Sequence, residues 1–290
     1  MVYLKYFQKL AELKSYSNTA KYFNISQPTV TYAVKRLENE FNTQLTIKDT
    51  KSHTLTISKT GNQLLIHINR ILFEETLARK EIRDIQNPKL KIGFPPIITN
   101  YFSKYFSYFK DINILSTIEP ITSESQILMK QIINGDLDAT LVGTANLLNN
   151  SDLETKLLRT HEFKIVSAKN RVLSKNSSLS LSDIRNEYMI VLDENSVHNK
   201  ILSNLYSSMN IDPNILFKTP DYKLALDLIA QDKGIGFFTE TALLEPEKYN
   251  IYSINEAKDI NFYIYLVYRK DKILNDDLSK LISTFEKNNL

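Results

Sequence analysis

Cysteine and tryptophan are absent from the 290 residues, there are six glycines and four histidines, and no apolar run approaches membrane-spanning length. Without cysteine there is no disulfide framework, no thiolate metal site and no thiol nucleophile. The sparse glycines never form a phosphate-cradling loop, and no nucleophile elbow or His/carboxylate metal spacing occurs. "GIGF" at 234–237 reads as a turn before a buried strand. An enzyme, a cofactor and a bound metal are therefore not expected. A span needs about 18 apolar residues. The opening segment "MVYLKYFQKLAELK" is broken by Lys5, Gln8, Lys9 and Glu12, so it lacks the core of a signal peptide. The expectation is a cytoplasmic protein with no membrane segment.

What is present is ordinary in amount and uneven in placement. Hydrophobic residues make 42% and charged residues 24% of a chain long enough for two domains or a little more. The formal charge of +3 is the difference between two unlike parts. Residues 1–89 hold 14 Lys/Arg against 8 Asp/Glu, a net +6, and the remainder is −3. A basic amino-terminal part on a slightly acidic body fits an arm that meets polyanions, and fits a solvated surface as well.

Apolar periodicity predicts a helix over 2–14, a short second helix capped by Ser17 and ending near Phe23, and a tight turn at Asn24-Ile25. A third helix follows from about Gln27 to Phe41. "LTIKDTKSHTLTI" (45–57) has two strand-like runs around a charged tip and predicts a hairpin. From Ser58 to about Gln86 the pattern is one long helix. Its narrow 4-3 stripe of Leu64, Ile68, Ile71, Ala78, Ile82 and Ile85, with Glu75 at the missing position, suits a two-helix seam. Packing along its own domain is the plainer alternative. Asn87-Pro88 marks a boundary. Beyond it strands and helices alternate. Strands are expected at "LKIGF", "ILSTIEPI", "DATLVG", "FKIVSA", "YMIVLD", "GIGFFT" and "FYIYLVY". Helices are expected from about Tyr101, at "SESQILMKQIINGD", and around 198–209, 221–232 and 275–288. This predicts an α/β unit over 90–290 with a largely parallel sheet and two lobes.

The second and third helices carry the functional signal. A helix-turn-helix needs a small residue where its helices cross, a residue tolerant of left-handed backbone in the turn, and a branched apolar residue locking the second helix. Ala20, Asn24 and Val30 supply these at mutually consistent spacings. Val34, Leu37 and Phe41 continue the buried stripe. The opposite face of "SQPTVTYAVKRLE" (26–38) is odd for a helix, because small and β-branched residues replace stronger helix formers. It presents Gln27, Pro28, Thr31, Tyr32, Lys35 and Arg36. A helix entering a DNA major groove turns its amino-terminal residues to base edges, and Gln and Thr are suited to reading them. Ser26 caps the helix, and Pro28 fits its first turn. The hairpin brings Lys48, Lys51 and His53, a wing for phosphate or minor groove. A polar face on a protein-binding three-helix module is the alternative.

These segments resemble the LysR-type transcriptional regulators, over essentially the whole chain. "SQPTVTYAVKRLE" follows the family pattern, with Thr31 for the usual Ser and Val34 for the usual Ile. "SYSNTAKYFNIS" and "LTISKTG" match the segments before and after, with Thr19 for the usual Ala. Leu45-Thr46-Ile47-Lys48 departs from the usual Leu-Phe-x-Arg at the wing, and Asn42 stands where Gly is common. The resemblance implies a winged helix-turn-helix DNA-binding domain (1–60), a dimerising linker helix (58–87) and a two-lobed effector domain resembling a periplasmic binding protein (90–290). It implies double-stranded DNA as partner and a homodimer or homotetramer. "LKIGFPPIITNYF", "INGDLDATLVG", "DENSVHNK" and "GIGFFTE" look closest to the subgroup activating malolactic fermentation genes, which implies a dicarboxylate such as malate as effector. Regulation of another operon by a different small molecule is the alternative.

In an α/β sheet the ligand crevice lies beyond the carboxyl ends of the strands, near helix amino termini. Hydroxyl and amide residues stand at three such points: Thr99 and Asn100, then Ser123 and Ser125 beside Thr122, then Ser196 with His198. Helix N-termini with Ser or Thr suit a carboxylate. Simple capping explains the serines equally well. His198 is expected to add charge or a donor, or else to be a plain surface histidine. A solute-binding protein would explain 90–290 but leaves the first 89 residues without a role.

Overall fold

The computed structural model describes residues 1–48, 55–85, 89–103, 113–243 and 245–287. The chain divides into two compact units, Met1–Gln86 and Asn87–Leu290.

The first unit opens with α1 (Val2–Leu13), α2 (Tyr16–Phe23) and α3 (Gln27–Glu40). The cap of α2 is Ser15, whose hydroxyl accepts the Asn18 amide at 3.3 Å, and not Ser17. The helix starts two residues earlier than expected, because Lys14 takes a left-handed conformation (φ 49°) and frees Ser15 to extend. Asn24 makes the turn at φ 53° and ψ 47°, the left-handed geometry its residue type tolerates. Val30, Ala33, Val34 and Leu37 are the buried side of α3. Val34 and Leu37 pack with Phe7, Leu10, Leu45, Leu55, Ile68 and Leu72 in one core.

The hairpin pairs β1 (Thr46–Lys48) with β2 (Leu55–Ile57), Thr46 opposite Ile57. Glu38 fixes its position. Its Oε1 accepts the amides of Leu45 (2.9 Å) and Thr46 (3.3 Å) and the Thr46 hydroxyl (3.4 Å). Asn42, where the family commonly has Gly, adopts φ 48° and so makes the same left-handed turn. The long helix α4 (Lys59–Ile85) begins where Ser58 Oγ accepts the Gly61 amide at 2.9 Å. Gly61 must be bare, since a Cβ there would collide with the Leu45 carbonyl and the Ile57 side chain. At about 1.5 Å per residue α4 is roughly 40 Å long. Ile68 and Leu72 join the core, whereas Ile71, Ile82 and Ile85 remain 44%, 63% and 80% exposed. Glu75 is held within the chain by Lys5 (2.8 Å) and Arg79 (2.9 Å).

The second unit contains β3 (Leu90–Phe94), α5 (Pro96–Ser103), α6 (Asn113–Thr117), β4 (Ile118–Thr122), α7 (Ser125–Ile133) and β5 (Ala139–Thr144). It continues with β6 (Leu153–Ala168), β7 (Ser178–Leu179), β8 (Met189–Leu192), α8 (Val197–Ser208), β9 (Ile215–Thr219) and α9 (Tyr222–Ala230). β10 (Gly236–Thr239), β11 (Tyr249–Ile254), β12 (Asn261–Arg269) and α10 (Asp276–Lys287) complete it. Several elements differ from the sequence reading: β6 begins ten residues before "FKIVSA", and β7, β9 and β11 were not expected. Helix α5 starts at Pro96, not near Tyr101, because Pro95-Pro96 supplies a first turn that needs no N–H. In "ILSTIEPI" the first four residues are helical and the strand begins at Ile118.

The sheet is mixed rather than largely parallel. Its order is β4-β3-β5-β12-β6-β11-β7, with β10 also on β6 and β8-β9 forming a separate parallel pair. β3 runs parallel to β4 and β5, as strands joined by helices must. The 16-residue β6 is the reason for the mixture. Its first part runs antiparallel to β12, and its last part runs antiparallel to β10 and β11. It thereby belongs to both halves of the unit. Leu141, Phe163, Ile165, Phe237, Phe262 and Ile264 share one core across them. Among the described residues no helix is long and apolar enough to cross a membrane.

Candidate nucleic-acid interface and effector cleft

The face of α3 opposite the core is open. Ser26, Gln27, Pro28, Thr29, Tyr32, Lys35 and Arg36 are exposed and Thr31 is partly so. Ser26 caps as expected: its hydroxyl bonds the Thr29 hydroxyl at 2.8 Å and lies 3.4 Å from the Thr29 amide. Thr29 thus stands on the open face beside Gln27, although the sequence reading passed over it as part of a β-branched run. The Gln27 Oε1 accepts the Ser17 hydroxyl at 3.1 Å, which orients the amide from the preceding helix. Thr31 donates back to the Gln27 carbonyl at 3.2 Å, so its hydroxyl hydrogen is engaged and its methyl is left to meet a partner.

Tyr32 and Arg36 sit on Tyr3 of α1. The Tyr32 ring meets that of Tyr3 edge-on at 6.2 Å, and the Arg36 guanidinium lies 4.9 Å above the Tyr3 ring. This stacking holds a cation beside the groove-facing surface without neutralising it. Lys48 ends β1, but its side chain, Lys51 and His53 lie outside the described residues.

In the second unit a cleft opens where several strands end, enclosing about 40 Å³. Its lining includes Pro95–Ile98, Glu124, Ser125, Gly143, Asp193, Ser196, His198, Tyr222 and Phe262. The first turns of α5, α7, α8 and α9 therefore converge on one space. First-turn amides lack intrahelical acceptors and carry the positive end of the dipole, so the cleft is suited to an anion.

Of the six residues expected here, Ser125, Ser196 and His198 line the cleft. Thr99, Asn100 and Ser123 do not. Thr99 and Asn100 sit one turn into α5, where they bond the carbonyls of Pro95 (2.7 Å) and Pro96 (3.0 Å). The early start of α5 moved them out of the loop and put Pro95–Ile98 in their place.

Ser125 is not a cap. Its Oγ accepts the Gly143 amide at 2.9 Å, joining α7 to β5. Gly143 admits no side chain, because a Cβ would strike the Phe262 ring and the end of Ile98. Ser196 is a cap, accepting the His198 amide at 3.2 Å. His198 is only 3% exposed, so the surface reading fails. Its Nε2 lies 3.1 Å from the Thr239 hydroxyl, and its ring packs between Phe163 and Phe262. Burial lowers its pKa to about 3, so it brings no charge near neutral pH.

Three polar cleft residues escaped the sequence reading. Asp193 folds back on its own loop, with Oδ1 accepting the amides of Asn195 (3.2 Å) and Ser196 (3.3 Å). Glu124 precedes α7 and its side chain makes no capping bond. Tyr222 begins α9. Its buried hydroxyl makes no hydrogen bond of normal geometry, and burial raises its pKa to about 12 even with Asn100 nearby. The signal for Glu124 was the interruption of a serine cluster by an acid at a helix start.

Both units match known families. Residues 1–60 match the family described as bacterial regulatory helix-turn-helix protein, lysR family, and residues 84–288 match the LysR substrate binding domain. The chain is 30% identical over 275 residues to the malolactic fermentation system transcriptional activator of Lactococcus lactis subsp. lactis (strain IL1403), covering 94% of this chain and 93% of the relative. The effector binding domain of QuiR in complex with shikimate superposes with a TM-score of 0.56 at 20% identity, over 69% of this chain and 96% of that one. Full-length CbnR complexed with its target DNA superposes with a TM-score of 0.53 at 15% identity, over 98% of both chains. At these identities the two structures speak for the fold alone.

Proposed function

Because the chain belongs to the LysR family of DNA-binding transcriptional regulators, we propose that it is a cytoplasmic activator of malolactic fermentation genes, switched by a small organic acid with L-malate foremost. The observation that carries the DNA-reading half is the open amino-terminal face of α3. Gln27, Pro28, Thr29 and Thr31 stand there on a helix locked from behind by Val30, Val34 and Leu37. Gln27 reads a base edge, Lys35 and Arg36 hold the backbone, and the hairpin adds the wing.

The effector half rests on the converging helix N-termini and on the 30% relationship to the Lactococcus activator. Malate brings carboxylates for the first-turn amides and a hydroxyl for Ser125 or Tyr222. The exposed isoleucines of α4 support a two-fold dimer, or a tetramer built from it, reading paired half-sites.

The test is binding to AT-rich promoter DNA across a salt series, with and without malate. Affinity should fall steeply from low to moderate salt, and malate should change the affinity or the footprint. Salt-insensitive binding, or none, would refute the DNA-reading role. Indifference to malate with intact DNA binding would move the effector to another small molecule.

A further inference from the structure

The cleft carries a conflict of charge. Helix N-termini favour an anion there, although Asp221 already occupies that of α9, yet among the described residues the lining contains no Lys or Arg, and its histidine is neutral. Among the described residues its only carboxyls are those of Glu124 and Asp193. A carboxylate ligand entering this space would meet two like charges unless one of them is discharged.

The two acids are not equivalent. Asp193 Oδ1 already accepts the Asn195 and Ser196 amides. The Glu124 side chain has no hydrogen bond or ion pair with any described residue, and the residue is partly buried. The groups facing it are Asp193 from the loop before α8, Lys200 from α8 and the neutral His198 from the same helix. Pro95–Ile98 contribute none. Burial first, and then Asp193, raise the Glu124 pKa above its ordinary value, against a smaller opposing pull from Lys200. The buried Tyr222 hydroxyl in the same lining, with Asn100 nearby but no hydrogen bond of normal geometry, is a second mark of a site awaiting a polar ligand. Tyr222 is 5% exposed, and its first-turn position on α9 faces the cleft.

We propose that Glu124 takes a proton from solvent when the cleft binds a carboxylate, and donates it in a carboxyl–carboxylate hydrogen bond to the ligand. The regulator then binds an organic-acid anion together with one proton. No covalent bond changes; one proton moves from water to the Glu124 carboxyl and is shared with the ligand. This deepens the small-acid reading of the cleft and rests on it. Its consequence is that the same effector concentration occupies the cleft more fully as pH falls. Two signals, acid anion and acidity, are thereby read by one site.

Calorimetry on the full-length protein, with malate and succinate as probes, tests this between about pH 5.5 and about pH 7.5 in buffers of different ionisation enthalpy. Above about pH 6 both carboxyls of malate are ionised, so uptake there reports the protein. The wild type should take up close to one proton per ligand and lose affinity about tenfold per pH unit at the upper end. E124Q should bind with no uptake and little pH dependence, because an amide donates the same bond without titrating. D193N should shift the wild-type profile to lower pH, a change that a purely structural role for Asp193 would not produce.

Flat wild-type affinity without proton uptake overturns the proposal and leaves the small-acid reading standing, as does an E124Q variant that retains both. Failure of both acids to bind anywhere in the range overturns the small-acid reading and the proposal with it. Binding of ethanolamine in their place, with proton release, does the same and assigns the two carboxyls to a cationic ligand.

Discussion

The Ser125 hydroxyl oxygen accepts the Gly143 amide at 2.9 Å, tying the first residue of α7 to the last turn of chain in β5. Both residues line the cleft, and Gly143 has no room for a side chain. One serine therefore positions the helix N-terminus and keeps its own O–H free to donate.

Ser125→Ala should cost about 1–3 kcal/mol in stability, the penalty for leaving a buried amide unsatisfied. It should also weaken binding of malate while DNA binding without effector is retained. Urea unfolding and calorimetry on the same preparation measure the two effects. An unchanged midpoint together with unchanged malate affinity would remove both roles.

Glu38→Ala should loosen the hairpin from α3. Glu38 Oε1 serves two amides and a hydroxyl at the start of β1, where the Thr46 hydroxyl also meets the Tyr16 hydroxyl at 3.3 Å. The expected cost is about 1–3 kcal/mol, with DNA affinity reduced for all sequences alike. Glu38→Gln retains one acceptor oxygen and should fall between. Competition binding with operator and non-operator DNA checks this: a change in sequence preference would place Glu38 at the bases instead.

Gln27→Ala should relax sequence preference by about 1–3 kcal/mol at the cognate site. Non-specific affinity should hold, since Lys35 and Arg36 are untouched. The Ser17 hydroxyl, 3.1 Å from Oε1, pre-orients the Gln27 amide, so Ser17→Ala should show a smaller loss at the same base position. Preference for the operator that survives both changes would rule out base reading by Gln27.

His198 makes stability depend on pH in a defined direction. Its folded pKa of about 3 lies below the unfolded value of 6.5. Between them the unfolded chain binds a proton that the folded chain does not, so stability rises with pH across this window. The contribution is complete above about pH 6.5 and is lost as pH falls toward about 3, at no more than about 1.4 kcal/mol per unit. His198→Gln should remove that slope, whatever it does to stability at neutral pH. Denaturation midpoints from pH 4.5 to about 7.5 decide it, and an equal slope in the variant would reject the assignment.

The first unit was readable because its signals are local. Ala20, Asn24 and Val30 lie within one helix-turn-helix, and the stripe of α3 runs through Val30, Val34 and Leu37 as expected but stops before Phe41, which ends the helix half exposed. The cap of α2 was misplaced by two residues because Ser15 and Ser17 are chemically alike, and only the left-handed turn at Lys14 separates them. The second unit was legible as strands and helices but not as a sheet. Whether β12 runs parallel or antiparallel to β5 is decided by chain segments far apart, and nothing within "FYIYLVY" encodes it. The cleft was half legible for the same reason. Hydroxyls at helix starts are visible in sequence, whereas the charge conflict between Glu124 and Asp193 exists only once α7 and α8 face each other.

The exposed seam of α4 gives the last prediction. Ile71, Ile82 and Ile85 share a stripe with the buried Ile68, yet all three are exposed in the single chain. Glu75 interrupts the stripe, and its charge is met within the chain by Lys5 and Arg79, which hold its pKa below the ordinary value. The seam can therefore close over Ile71, Ile82 and Ile85 without a partner for Glu75. Burying one isoleucine side chain contributes about 1.5–3 kcal/mol, and a two-fold seam holds each residue twice. Ile82→Lys should weaken self-association at least roughly a hundredfold, because it removes two such burials and places two like charges together. The wing and α3 should fold as before, since Ile68 and Leu72 remain in the core. Sedimentation of the variant against the wild type reads the change directly, and affinity for a paired half-site should fall with it. A variant that sediments as the wild type does would mean that α4 associates through another face, or not at all.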